Sequence, residues 1–288
     1  MPRLVLLIVF LAGCQSSRVA PEDAPATLRV VSANVRLDVA SDGDDAWPLR
    51  RDAVARVLAD ADLVGVQEAT PTILADLDAR LPGFARIGVG RDADGGGEAS
   101  AIYYRTDRLV LADDGTFWLS ETPDVPGSQS WDAALPRIAT WGRFRDRATG
   151  AELVHLNTHF DHVGEEARRQ AARLIAARLP GLADGGAAVV TGDLNATPDS
   201  EPVTTLVDGL GLDDARLASA TPAEGPARTW NGFGQATDDR RIDYVFVLSP
   251  ARVLAFRTID ATIGDVMGTD NGRELSDHYF VEATVAPE

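Results

Sequence analysis

Apolar residues come along the chain in short runs broken by polar and turn residues, and the phase of each run sets the element it forms. Eight runs rich in β-branched or aromatic residues predict strands at Leu28 to Asp38, Leu63 to Gln67, Ala99 to Arg105, Thr140 to Arg145, Leu153 to Phe160, Ala187 to Gly192, Ile242 to Leu248 and Tyr279 to Val285. Several are apolar on both alternating phases, as central strands buried on both faces are. Helical spacing takes over elsewhere: Trp47 to Ala59 places Leu49, Ala53, Val54, Val57 and Leu58 on one face. Glu165 to Leu179 does the same, opening on acid and carrying arginine near its end, as the helix dipole prefers. Shorter helices are expected at Pro71 to Leu81 and Pro202 to Leu210. Helices scattered among many strands predict layers of sheet covered by helices, an α+β architecture and not a parallel wound sheet. Loop-rich stretches at Asp92 to Gly97, Glu121 to Pro136 and Ala218 to Asp239 lie beside polar strand ends, which favours function for them.

The first residues stand apart from this pattern. Arg3 is followed by nine apolar residues, Leu4 to Ala12, too few to span a bilayer but suited to an export signal. LAGC ends at the lone cysteine, Cys14, and the segment resembles a bacterial lipoprotein signal, in which that cysteine becomes the lipidated first residue. The expected organisation is therefore a signal peptide over 1–13, a tether over 14–27 carrying lipidated Cys14, and one large domain over 28–288. Such a protein faces the periplasm or the outer membrane, is held to the membrane through lipid, and has no disulfide.

Composition narrows the chemistry. Asp and Glu total 44 against 27 Lys and Arg, and lysine is absent, giving a formal charge of −17. That balance supplies no general basic footprint for duplex nucleic acid and favours a small or locally presented substrate. Without lysine there is neither Schiff-base chemistry nor a lysine-dependent phosphate loop.

Polar residues recur at the ends of apolar strands. Asn34 interrupts VVSANVRL, Glu68 ends LVGVQE, His159 ends VHLNTH, Asp193 and Asn195 lie in TGDLNA, Asp243 lies in RIDYVFV, and Asp277 with His278 lies in LSDHYF. Asp193 and Asn195 are two residues apart, so strand periodicity points both side chains one way. Glu68, Asp277, Asn34 and Asn195 offer oxygens alone, the donor set for Mg²⁺ or Mn²⁺ coupled to a phosphate. No compact His/Cys spacing favours zinc. His159 and His278 are left free for proton transfer. His155, four residues deeper on the strand of His159, reads as structural, and His162 either caps the following helix or lines the mouth of the site.

These segments identify a resemblance. SANVR, VGVQE, GEASAIYYR, PRIATW, NTHFDH, TGDLNATP, RIDYVFV and SDHYF run in the order found in the endonuclease/exonuclease/phosphatase superfamily, over residues 28 to 284. The resemblance implies a four-layered α/β/β/α sandwich of two mostly antiparallel sheets, deoxyribonuclease-like, hydrolysing a phosphoric ester, most simply a phosphodiester, by metal-assisted attack of water. It implies Glu68 as metal carboxylate with Asn34 and Asp277, and Asp193 and Asn195 orienting water and holding phosphate. It pairs His278 with Asp243, and it places His159 near the leaving group with Glu98 orienting it. It leaves the general base open between Asp193 and His278. Arg137 is then the first candidate for binding phosphate oxygens and Arg168 the second. Trp230 and Asn231, in the loop before RIDYVF, are candidates for selecting substrate, and Tyr103 is expected nearer the centre than Tyr104. The expected partner is a phosphate ester, either nucleic acid or a small organic or lipid-headgroup phosphate, met by a monomer. A non-catalytic binding module on the same scaffold is the alternative, and it predicts loss of the central residues.

Overall fold

The computed structural model describes residues 27–287; the expected export signal, Cys14 and nearly all of the tether lie outside them. Two six-stranded sheets form the centre of the molecule. The first runs β11-β12-β1-β2-β4-β3, built from β1 (Leu28–Asn34), β2 (Leu63–Gln67), β3 (Phe84–Ile87), β4 (Ile102–Arg105), β11 (Arg252–Ile259) and β12 (Phe280–Ala286). The second runs β5-β6-β7-β8-β10-β9, from β5 (Leu109–Trp118), β6 (Ile138–Asp146), β7 (Glu152–His159), β8 (Ala187–Asp193), β9 (Asp213–Asp214) and β10 (Asp243–Leu248). Helices are α1 (Trp47–Leu58), α2 (Pro71–Arg80), α3 (Glu165–Ala183), α4 (Glu201–Thr204, running into a π turn), α5 (Ala215–Ala218) and α6 (Ile263–Met267). No described helix is long and apolar enough to cross a membrane.

Strand alternation sorts the apolar residues into three layers of packing. Val31, Val64 and Val66 face outward onto Trp47, Leu58, Ile73 and Leu77 of α1 and α2. Their neighbours Val30 and Leu63 face inward and meet Leu153, Val189 and Val247 of the other sheet. Val154, Leu156, Val190 and Phe246 face outward again, onto Ile175 and Leu179 of α3. Both faces of the central strands are thus buried, which is why those strands are apolar on both phases. The result is the expected α/β/β/α sandwich.

Each sheet contains one parallel pair, β1 with β2 and β7 with β8, joined over α1 and α3, while the other pairings are antiparallel. The C-terminal ends of β1, β2, β7 and β8 therefore meet the N-terminal ends of β10 and β12 at one edge of the sandwich. Asp193 stands opposite both His159 and Asp243 in the ladder.

A buried polar bridge fixes the sheets to each other just below that edge. Asn157 of β7 donates to Val66 O and Ala101 O at 2.9 and 3.0 Å, and its oxygen accepts from Gln67 Nε2 at 2.7 Å and Thr191 Oγ1 at 2.9 Å. All four hydrogen-bonding positions of the carboxamide are used. The bridge fits only because residue 65 is glycine: a Cβ there would overlap Thr191 Oγ1 and Asn157 Oδ1. His155 lies beside it, fully buried against Thr191 Oγ1 at 2.8 Å, with burial pushing its pKa down to about 3. It is a neutral structural residue, as its depth on the strand predicts.

Candidate active site

Loops at these strand ends surround a cleft of about 400 Å³, lined among others by Glu68, His159, Asp193, Asn195, Asp277 and His278. Two of these side chains reach it through unusual backbone. Glu68 follows the last residue of β2 with φ 59°, and Asn195 follows β8 with φ 46°, both left-handed conformations costly for residues with a Cβ. The expected strand alternation between Asp193 and Asn195 does not operate, because β8 ends at Asp193. The two meet instead through a turn in which Asn195 N–H donates to Asp193 Oδ1 at 2.9 Å.

Asn34 joins the sheets at this edge. Its amide donates to Glu68 Oε1 and to Asp193 Oδ2, both at 2.9 Å, and its oxygen accepts from Arg36 N at 3.0 Å. In this geometry Asn34 braces two carboxylates. Glu68 also accepts from Leu37 N at 2.9 Å, so its carboxylate is held by both a side chain and the backbone. Ligand atoms of Glu68, His159 and Asp193 lie within 4.8 Å of one another. Asp277 faces the same cleft, where burial raises its pKa and nearby Glu68 adds to the effect. His278, Arg36 and Arg50 oppose that rise, with Arg36 NH1 at 3.7 Å. Clustered carboxylate oxygens of this kind fit a hard divalent ion, and the cluster has the capacity to hold one.

Asp193, Asp243 and His278 form a second group of ligand atoms within 4.8 Å of each other. Here a hydrogen bond accounts for the contact: His278 Nδ1 meets Asp243 Oδ2 at 2.9 Å, leaving Nε2 at 3.8 Å from Asp193 Oδ2. Burial works against a charge on His278, but Asp243 and Asp193 hold its pKa well above 6.5. Asp193 moves the other way from a normal carboxylate, raised to about 7 by burial and by Asp243. His159 is kept neutral by burial and by Arg137, and its Nε2 lies 3.1 Å from Asn195 Nδ2. Three titratable groups packed together thus have their protonation pushed apart, as acid and base work requires.

Arg137 is 6% exposed and reaches the cleft beside Glu68 and His159. Asp161 accepts from its Nε at 3.4 Å, and its NH2 donates to His162 Nδ1 at 2.9 Å. His162 is exposed and lines the cleft mouth with Leu135.

Several expected residues stand elsewhere. Asn231 is 1% exposed and is consumed in holding the loop: its Nδ2 donates to Ser276 O at 3.1 Å and its N–H to Asp277 O at 2.8 Å. It supports the SDH turn and is not among the residues that line the cleft. Arg168 lies off the cleft, with NH1 on Asp161 O at 2.8 Å. Trp230 does line the cleft, with the Arg240 guanidinium 4.2 Å above its ring. Glu98 lines it as well, but its carboxylate is paired with Arg91 at 2.6 Å and makes no hydrogen bond to His159. Tyr103 is not near the centre: it points to the helical layer, where its hydroxyl donates to Asp78 Oδ1 at 2.9 Å, and Tyr104 faces the other sheet at Phe144.

The sequence pattern does not mark Arg36, which lines the cleft, or Asp161 and Arg50, which support it from behind. Arg36 lies inside the quoted SANVR segment, and Asp161 inside NTHFDH, so motif membership was the available signal. Arg50 carried none. It sits in α1, fully buried, and donates to Val35 O at 2.9 Å and Leu275 O at 2.7 Å, tying the turn after β1 to the turn before β12. Burial lowers its pKa to about 10, which leaves it charged at neutral pH.

A two-sheet sandwich with carboxylates and imidazoles gathered at the shared strand ends defines the DNase-like class of α+β proteins, with a site fit for a divalent ion. The chain belongs to the endonuclease/exonuclease/phosphatase family, whose model matches residues 31–278. It is 37% identical to an endonuclease/exonuclease/phosphatase from Bacteroides vulgatus, with a TM-score of 0.85 over 91% of this chain and 100% of that one. It is 34% identical to a mannosyl-6-phosphatase from Bacteroides thetaiotaomicron VPI-5482, with a TM-score of 0.81 over 90% and 99% of the two chains. A more distant TDP2 from D. rerio, solved with a single-strand DNA product, shares the fold at 19% identity and a TM-score of 0.68, over 90% and 99%. Comparison with curated proteins gave no match.

Proposed function

We propose that the protein is a divalent-metal-dependent hydrolase of small phosphoric esters. The observation that carries this reading is the convergence of Glu68, His159 and Asp193 within 4.8 Å in a cleft that also holds Arg137 and Asp277. Glu68 and Asp277 would hold the ion, with Asp193 alongside and Asn34 bracing Glu68. Oxygen donors favour Mg²⁺, and Mn²⁺ suits the same set. When bound, such an ion draws charge from the phosphoryl oxygens and lowers the pKa of water.

The chain's own residues supply the remaining chemistry. Asp193, free to take a proton near neutral pH, orients and deprotonates the attacking water. His278, held as a cation by Asp243, presents Nε2–H to a phosphoryl oxygen, where charge grows in the transition state. Arg137 adds a second cation, fixed in place by Asp161. His159 and Asn195 face the leaving oxygen. The mannosyl-6-phosphatase among the similar structures supports a sugar phosphate monoester as substrate, and the charge of −17 opposes long polyanions. The apolar run before Cys14 supports export and lipid attachment outside the cytoplasm.

A substrate panel tests the reading. Purified protein with Mg²⁺ or Mn²⁺ is expected to release phosphate from sugar phosphates and to lose that activity to chelator. Preference for bis-aryl phosphates or nucleic acids would move the assignment to a phosphodiesterase. Inertness toward every phosphoester would favour a binding module.

A further inference from the structure

A second cavity, of about 390 Å³, opens beside the catalytic cleft, and Asn195 lines both. Its size falls in the range of small-ligand sites, about 300–1,000 Å³. We propose that this cavity receives the alcohol half of the ester, and that the alcohol is a neutral polyhydroxylated one. The proposal rests on reading the cleft as the phosphoesterase centre. An ester held with its phosphorus in the cleft then has its leaving group on the Asn195 side, and the second cavity begins there.

The lining selects the ligand class. Its charged residues are Arg168 and Arg169 against Glu165 and Glu201, so their formal charges cancel. Arg169 is spent within this set, on Glu165 and Glu201, both at 3.1 Å. The lining thus carries no net formal charge to attract a further phosphate, and a continuing nucleic-acid strand would pass two carboxylates. Among the residues that line the cavity there is no aromatic ring and no long aliphatic side chain, only Ala196 and Pro202, so neither a stacked base nor an acyl chain finds a surface. What the cavity does offer is Arg168, the ion-paired carboxylates of Glu165 and Glu201, and the hydroxyls of Thr197 and Ser200, which donate to Asp199 Oδ1 and Thr197 O and keep their oxygens as acceptors. The Arg168 guanidinium uses NH1 on Asp161 O and makes no other hydrogen bond among the described residues. Closely spaced donors and acceptors of this kind match the hydroxyls of a sugar or related polyol.

The reaction balances on this placement. Water forms the new P–O bond, the P–O bond to the alcohol breaks, and one water proton ends on the departing oxygen. The alcohol therefore leaves neutral into a cavity of no net charge, while phosphate keeps the negative charge in the cleft.

The test compares two phosphomonoesters that share the phosphate and differ in the alcohol, glucose 6-phosphate and methyl phosphate, with the full chain and Mg²⁺. The wild type is expected to favour the hexose ester in kcat/KM. In Arg168→Ala and, separately, Thr197→Val, the ratio of the two kcat/KM values should fall, by about tenfold for Arg168→Ala, where a charged hydrogen bond is lost. A wild-type ratio near one, or a ratio unmoved in both variants while circular dichroism reports intact folding, overturns the subsite and leaves the phosphoesterase reading standing. A wild type that prefers a dinucleotide or a phospholipid headgroup also overturns it. Failure of the wild type to hydrolyse any of these esters sinks the underlying reading instead.

Discussion

Asp161 shows how a residue outside the metal cluster shapes the site. It is 2% exposed, and it accepts from Gly164 N at 2.7 Å, Val163 N at 3.0 Å and the Arg137 guanidinium. Burial opposes its charge, but these donors, together with the backbone of Ala134, hold its pKa at about 2 in place of 3.8. A carboxyl whose pKa is lower folded than unfolded stabilises the fold above its unfolded pKa. That contribution is lost as pH falls from about 4 to about 2. Asp161→Asn is therefore expected to lower stability at neutral pH and to flatten the acid limb of a denaturation curve in that window. An acid limb unchanged by the substitution would mean that the charge of Asp161 does not hold these loops. Roles within the site separate in the same way. Glu68→Gln should weaken metal binding and activity together, whereas His278→Ala should lower kcat by roughly 10²–10⁴-fold with metal affinity nearly intact, the range for a lost proton-transfer or charge-stabilising group. Equal loss of metal in both, read by calorimetry, would contradict the division of roles.

At the scale of elements, what the sequence reveals depends on burial. The eight strands predicted from apolar runs are the eight interior strands of the two sheets, and the four not predicted, β3, β5, β9 and β11, are their four edges. Interior strands are apolar on both phases because a layer covers each face. Edge strands mix the two: β5 carries exposed Asp113 and Asp114 at a bulge, and β11 alternates buried Phe256 with exposed Arg257. Acid and arginine on an edge also discourage pairing with another chain. Motif residues at strand ends were legible for the same reason, since Asp193, His159 and Asp243 end runs whose burial is plain. Asn231 and Tyr103 were misplaced because loop course and strand phase decide them, and neither is written in composition. Nothing local distinguishes Arg50 from a surface arginine of α1. The inter-sheet bridge provides a test at this scale. Gly65→Ala forces a methyl against Asn157 and Thr191, and it should cost about 3 kcal/mol or more in urea unfolding, the upper range for overpacking. A change below about 1 kcal/mol would show that the sheets can separate at this point without penalty.

The whole molecule carries a formal charge of −17 and no lysine, so its field repels polyanions at long range while arginines act locally inside the cleft. A fluorescein-labelled oligonucleotide should accordingly show no saturable binding below roughly 10⁻⁴ M at low salt. Tight binding that weakens steeply with salt would reveal a basic track not evident in the charge balance. Two sheets, fixed to each other by Asn157 and Asn34, bring Glu68 together with residues from the far end of the chain in one cluster with the capacity to hold a divalent ion. Anomalous diffraction from crystals soaked in Mn²⁺ tests it most directly. A peak is expected within coordination distance of the Glu68 carboxylate, facing Asp277 and Asp193. A peak confined to surface acids, or an empty cleft at saturating Mn²⁺, would contradict that capacity.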